Sequence, residues 1–270
     1  MGGGSDCIQA AILAKLLEQS GKTVSCVISI RSSKPSSQDG SGNTPDKRTV
    51  ENYKAQIFPG VYLISEETTG SGRFLEHIPA AEVPVYLIVD DDRVNPTLAM
   101  KIRAALNDTG GAHTVIAVDT GGDALYGTAQ LDQTKATPDQ DLRSLQAVSR
   151  LSDMNLFSCI IACGIDSPDN ASDLLLQAQS QYYQPSDDEA LFILNQYRIW
   201  QMDGTHPERF GKTSLAWQSA LRGQRGYQAL PLPIHVVSDR VNPWNPFVHL
   251  QESMQGMFFM QIADHLRVIM

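Results

Sequence analysis

Apolar runs of five to eight residues, rich in valine and isoleucine, alternate along the chain with stretches whose apolar positions recur every three or four residues. The runs predict strands at residues 23–30, 61–65, 83–89, 113–118, 157–163 and 234–237. Strands interleaved with helices build a sheet covered on both sides, so the expected class is α/β. The expected architecture is a doubly wound, mostly parallel sheet of about six strands with helices on both faces. Helical spacing is clearest over residues 7–19, where Ile8, Ala11, Ile12, Lys15 and Leu16 share a face. Ser5 or Asp6 suits the N-cap there, and Gly21 the stop. A second helix is marked from Pro96 to about Leu106 by Asn95 as cap and proline at its first position. Further helices are expected at 139–151, 170–182, 187–202 and 214–221, and within 246–269. Ser186-Asp187-Asp188-Glu189 has the spacing of a capping box. The Met254–Met260 run, with Phe258 and Phe259, reads as a core-facing helix. An oligomer interface is the alternative, which keeps a homo-oligomer among the partners.

No clean linker divides residues 1–270, so a single domain is expected. Residues 166–232 place several helices before the last strand, as an insertion or cap within that domain. The 32–46 stretch is rich in Ser, Gly, Pro and Asp and has no periodicity, which predicts a surface loop. It follows a strand directly, so a lid is the alternative.

Composition narrows the classes. At 42% apolar, 270 residues can bury a substantial core. The four cysteines, Cys7, Cys26, Cys159 and Cys163, are too few for a disulfide scaffold, and free thiols are expected. Thirty acidic against 21 basic residues leave a net charge of −9, which argues against a general nucleic-acid surface but leaves room for a local basic pocket. No apolar run approaches the roughly 18–20 residues of a membrane span. The Met-Gly-Gly-Gly-Ser-Asp opening has neither the basic region nor the apolar core of a signal peptide, so a cytoplasmic protein is expected.

Candidate chemistry gathers where the strands end. Four of the six predicted strands run into an aspartate: Asp90, Asp119, Asp166 and Asp239. In an open parallel sheet, ligands sit beyond the carboxyl ends of the strands, so these acids would share one edge. Aspartate after a strand is also a plain turn former and helix cap. Grouped carboxylates can bind Mg²⁺, orient hydroxyl groups or transfer protons, and the three remain open.

Two glycine motifs carry more information. Gly2-Gly3-Gly4-Ser5-Asp6 lies directly before the first helix, where unobstructed amides meet the positive end of the helix dipole, a setting suited to phosphate. No strand precedes it and its spacing is not G-x-G-x-x-G, which disfavours a standard dinucleotide site. A flexible chain start is the plain alternative. Asp119-Thr120-Gly121-Gly122-Asp123 follows a strand and sets a Gly-Gly turn between two acids. Such a turn can seat a phosphate while an acid holds a cation, or it is simply a tight turn. Asp92-Arg93-Val94-Asn95-Pro96 recurs as Asp239-Arg240-Val241-Asn242-Pro243. Arg93 and Arg240 could each grip an anion or pair with a neighbouring aspartate.

Other patterns carry less. Phe210-Gly211-Lys212-Thr213-Ser214 imitates the end of a phosphate-binding P-loop, but His206 stands where its first glycine belongs. The glycine-rich turn between Thr68 and Arg73 reads as an anion loop or a plain loop. Cys159 and Cys163 lack partners for a zinc site, and no G-x-S-x-G elbow is present.

The two glycine motifs resemble those of a family of conserved proteins of unknown function, whose members open with a Gly-Gly-Gly-Gly-Asp-like segment and carry a later Asp-x-Gly-Gly-Asp motif. The resemblance spans most of the chain, departing at Ser5, where glycine is usual, and in starting at the glycine run without a preceding strand. It implies that both motifs matter and names no chemistry for them. The expected function is an enzyme, a hydrolase or group transferase, acting on a small anionic metabolite or nucleotide at the carboxyl edge. Asp119 and Asp123, joined by Asp6, would act as catalytic acids and bases or, with Asp119 and Asp123 as ligands, hold Mg²⁺. Gly2, Gly3, Gly4, Ser5, Thr120, Gly121, Gly122, Arg93 and Arg240 would bind the anion, and Asp90, Asp166 and Asp239 would orient hydroxyls or a cation. A non-catalytic nucleotide- or metabolite-sensing module and a nicotinamide-dependent oxidoreductase are the alternatives.

Overall fold

The computed structural model describes residues 5–32, 56–64, 75–90, 95–132, 138–202, 212–230 and 247–270. Helix α1 (Ser5–Gln19) forms where the periodicity predicts it. Its Cys7, Ile8, Ala11 and Ile12 are buried, and Gly21 closes it with φ +80°. Strand β1 (Val27–Ser32) follows, then β2 (Gln56–Phe58), β3 (Val61–Ile64) and β4 (Val85–Asp90). These four make one sheet in the order β1-β4-β3-β2. Helix α2 (Asn95–Asp108) leads to β5 (Thr114–Thr120), helix α3 (Pro138–Val148) to β6 (Asn155–Ile161). Helix α4 (Ala171–Gln177) precedes β7 (Gln181–Tyr183), followed by α5 (Asp187–Ile199) and α6 (Lys212–Leu221). The chain closes through β8 (Gly226–Ala229), β9 (Phe247–Leu250), β10 (Met257–Gln261) and α7 (Ile262–Ile269). The second four-stranded sheet has the order β5-β6-β10-β7, and β8 pairs with β9.

The α/β class is as expected, but the sheet differs from a mostly parallel one of six strands. Among the described residues, parallel pairing is confined to β1 with β4 and β5 with β6; β3 and β10 run antiparallel to their neighbours. Strand alternation explains how the sheets share their cores. Val85 and Leu87 of β4, with Val118 of β5, face a core built with α1, Ile193, Tyr197 and Trp217. Tyr86 and Ile88, with Ala117, face a second core built with α2, α3 and Ile269. Both sheets therefore contribute to the same two cores, and helices pack into each. Helix α1 packs on both β1 and β5, and α3 reaches both from the other core.

The Met254–Met260 run corrects the helix expectation. It forms a short 3-10 turn over Glu252–Gln255 and then β10, whose residues serve both faces: Met257 and Phe259 pack into the first core, Phe258 and Met260 against α4. A strand that is apolar on both faces shows no period-two signal, so its sequence matches that of a buried helix. The 170–182 helix likewise stops early. Gln179 adopts φ +53°, and the following Tyr182 packs its ring 4.9 Å from Phe258 across the β7–β10 pairing. Residues 166–232 are thus not all helical: β7 joins the second sheet, and Ile193, Tyr197 and Trp217 help form the main core. The capping box is present, with Glu189 N–H donating to Ser186 Oγ and Ser186 N–H to Glu189 Oε2. The predicted strand at 234–237, the Thr68–Arg73 turn and the 32–46 loop beyond Ser32 lie outside the described residues. Among the described residues, no helix is long and apolar enough to cross a membrane.

Candidate functional site

The Asp119–Asp123 motif begins inside β5 and ends as the first residue of a 3-10 segment, Asp123–Asp132. Its two glycines are required by shape. Gly121 and Gly122 have φ +104° and +97°, which side-chain-bearing residues rarely adopt. A Cβ on Gly122 would stand 2.8 Å from Ser167 Cβ and 3.2 Å from Cys163 Sγ; one on Gly121 would stand 3.0 Å from Asp166 Oδ2. The turn is also fastened to the loop after β6. Gly121 N–H donates to the Ile161 carbonyl at 2.9 Å, and the Gly121 carbonyl accepts from the amides of Gly164 and Asp166, each at 3.2 Å.

These bonds bear on phosphate binding. Gly121 N–H is committed to Ile161, Thr120 N–H donates to Asp6 Oδ1 at 3.1 Å, and Ala124 N–H points at Asp119 Oδ2 at 3.4 Å. The turn spends three amides inside the protein. It is built to present acids more than to cradle an anion.

The acids do meet. Asp6, in the first turn of α1, is tied to β5 through that Thr120 bond across 114 residues of sequence. Asp119 is fully buried, and its Oδ1 has no hydrogen-bond partner. Asp141, buried on α3, was not among the predicted site residues. One carboxylate oxygen each from Asp119, Asp123 and Asp141 lie within 4.8 Å of one another. Asp123 is half-buried, the most exposed of the three.

Charge and burial act together on this group. Burial, then the charges of Asp141 and Asp6, push the Asp119 carboxyl up to about 8. Asp123 is raised well above the usual carboxylate range by burial, then by Asp119, Asp6 and Asp166. Asp141 is raised likewise by burial, then by Asp123 and Asp6. Carboxyls in such surroundings either retain protons near neutrality or require a cation.

The remaining predicted residues divide by position. Asp166 borders the Gly121 turn and contacts Lys212 Nζ at 3.5 Å and Thr213 Oγ1 at 3.4 Å. Asp90, at the end of β4, is buried and pairs with Arg143 Nη2 at 3.3 Å, two residues beyond Asp141 on α3. Gln140, beside them, donates to the Ile30 carbonyl of β1, which locks the start of α3 over the carboxyl ends of the strands. Ser5 opens α1. Gly2, Gly3, Gly4, Arg93, Asp239 and Arg240 lie outside the described residues.

Two further groups were missed. The signal for Asp141 was available, since Asp141, Leu145 and Val148 repeat at helical spacing and place an acid on the core-facing stripe. His265 of α7 has no such signal. It is buried, with Nδ1 2.9 Å from Ser158 Oγ, and burial pushes its pKa down to about 4 against a raising hydrogen bond to the Ala124 backbone. The imidazole is therefore neutral at pH 7 and sits behind the 3-10 segment that carries Asp123. The surface groove lined by Phe58, Met100, Arg103 and Leu151 contains none of these carboxyls.

Chemically, the arrangement offers two capacities: ligation of a hard cation by oxygen, and storage of protons on buried carboxyls. In comparisons with family models, with curated proteins and with solved structures, nothing matches this chain.

Proposed function

We propose that the chain is an enzyme, a hydrolase or group transferase, acting on a small anionic metabolite or nucleotide at the carboxyl edge of β5 and β6. The observation that carries this reading is the meeting of Asp119, Asp123 and Asp141 within 4.8 Å, on separate elements, with one buried carboxylate oxygen left without a partner. Buried, crowded carboxyls cost stability, and such groups gather where chemistry needs shifted proton affinities or a bound cation. Asp119 and Asp123 would transfer protons or hold Mg²⁺, with Asp6 adjoining them. A cation there would polarise the reacting bond or activate water. Asp166, which borders the turn, would orient a hydroxyl group. Arg93 and Arg240, with the glycines ahead of α1, are proposed to hold the anionic group. The resemblance of both glycine motifs to one family of unknown function supports their joint role.

The test is a screen of melting temperature against nucleotides, sugar phosphates, amino acids and nicotinamide cofactors, each with and without Mg²⁺, followed by turnover assays on any compound that binds. A shift by a phosphorylated compound with turnover, both lost in Asp123→Asn, is the expected result. Binding without turnover and with a change of oligomeric state would replace the enzyme reading by a sensing module. A shift with a nicotinamide cofactor alone would favour an oxidoreductase.

A further inference from the structure

The geometry points to a three-carboxylate site for a hard divalent cation, of the Mg²⁺ or Mn²⁺ type, in which Asp141 of α3 is the third protein ligand beside Asp119 and Asp123. It deepens the functional reading above and rests on it for the location of the site. Three features carry it. The ligand oxygens come from three separate elements, the end of β5, the start of the 3-10 segment and α3, yet lie within 4.8 Å of one another. Asp119 Oδ1 is buried with no N–H donor on it, and a proton shared with the Asp123 carboxyl or a bound cation is what would offset that burial. The described side chains whose charges bear on the three carboxyls are themselves acids, and of the described basic side chains Arg143 pairs with Asp90 and Lys212 with Asp166.

The donor set is all oxygen, which selects a hard cation over zinc or copper. Oxygens on a common Mg²⁺ at about 2.1 Å lie at most about 4.2 Å apart, little below the 4.8 Å that bounds the three oxygens here. Mg²⁺ sites usually keep several waters and take phosphate oxygens of a substrate, and Asp123, the most exposed of the three, is where they would enter. Helix α3 is fixed for this task by Gln140 on Ile30 and by Arg143 on Asp90, one contact on each side of Asp141 in the sequence.

The experiment is titration of the metal-stripped 270-residue chain with Mn²⁺, read by the electron paramagnetic resonance of free Mn²⁺ and by calorimetry. The wild type should bind one equivalent. Asp141→Asn should lose at least tenfold in affinity, and should melt no lower than the wild type when both are free of cation, because a buried acid has been neutralised at constant shape. Asp123→Asn, altering the half-buried ligand, should show the same loss and guards against a folding defect in the first variant. Wild-type protein that takes up no Mn²⁺ below millimolar concentration, or an Asp141→Asn variant that binds as the wild type does, would overturn the proposal. The two readings separate cleanly. Turnover or ligand binding by protein that takes up no Mn²⁺ removes the cation site and leaves the enzyme; Mn²⁺ bound through Asp141 with no anion binding and no turnover does the reverse.

Discussion

Asp119 is the residue on which the site's energetics turn. Its carboxyl, pushed up to about 8 by burial and by its acidic neighbours, compares with 3.8 for an ordinary aspartate. Between those values the folded chain holds a proton that the unfolded chain has released, so without a cation the contribution of Asp119 to stability falls as pH rises from about 4 to about 8, against the opposite contribution of His265 between about 4 and 6.5. Melting temperatures measured in chelator from about pH 6.5 to about 8 should decline, and Asp119→Asn should flatten the decline; a rise with pH in the wild type would contradict the assignment. At Gly122 the constraint is steric. A methyl group there would meet Ser167 at 2.8 Å on a backbone already at φ +97°. Gly122→Ala should cost about 2 kcal/mol or more in denaturant unfolding and loosen the acids on either side of the turn. A cost below half a kilocalorie would show that the turn relaxes freely.

Helices and turns differ in how they serve the site. Helix α1 contributes through its first turn, where Asp6 binds the Thr120 amide, and through its buried face, which spans β1 and β5. Helix α5 is purely supportive. Its capping box at Ser186 and Glu189 stands at an exposed end, so Ser186→Ala should lower stability by about 1 kcal/mol while leaving Mn²⁺ affinity unchanged. A coupled loss of metal affinity would mean that α5 bears on the acids. Elements of this kind were legible in the sequence, because cap, periodicity and stop agree: α1, α2, α5 and the strands leading to Asp90 and Asp119 all form where the pattern puts them. Strand β10 was not legible. Met257, Phe258, Phe259 and Met260 are all apolar because both faces of the strand are covered, and that removes the alternation by which a strand is recognised. The short strands β7, β8 and β9 carry equally little local signal and owe their pairing to tertiary partners.

Across the whole molecule, two mixed sheets and the helices packed on them gather acids from distant parts of the chain at the carboxyl end of β5. The sequence motif already marked Asp119 and Asp123, since a Gly-Gly turn between acids after a strand is a local pattern. Asp6 was marked by the first helix start. Asp141 completes the group only through the docking of α3, a tertiary fact whose trace in the sequence is a single acid on an apolar stripe. The glycines also serve the placement of the acids: the Gly121 amide bonds to the Ile161 carbonyl, and Gly122 packs on Cys163 and Ser167. The measurement that tests this account most directly is the melting temperature of wild type and Asp123→Asn with phosphorylated ligands, in Mg²⁺ and in chelator. The account predicts a Mg²⁺-dependent rise for at least one phosphorylated compound in the wild type and none in the variant. Identical melting temperatures for both proteins under every condition would contradict it.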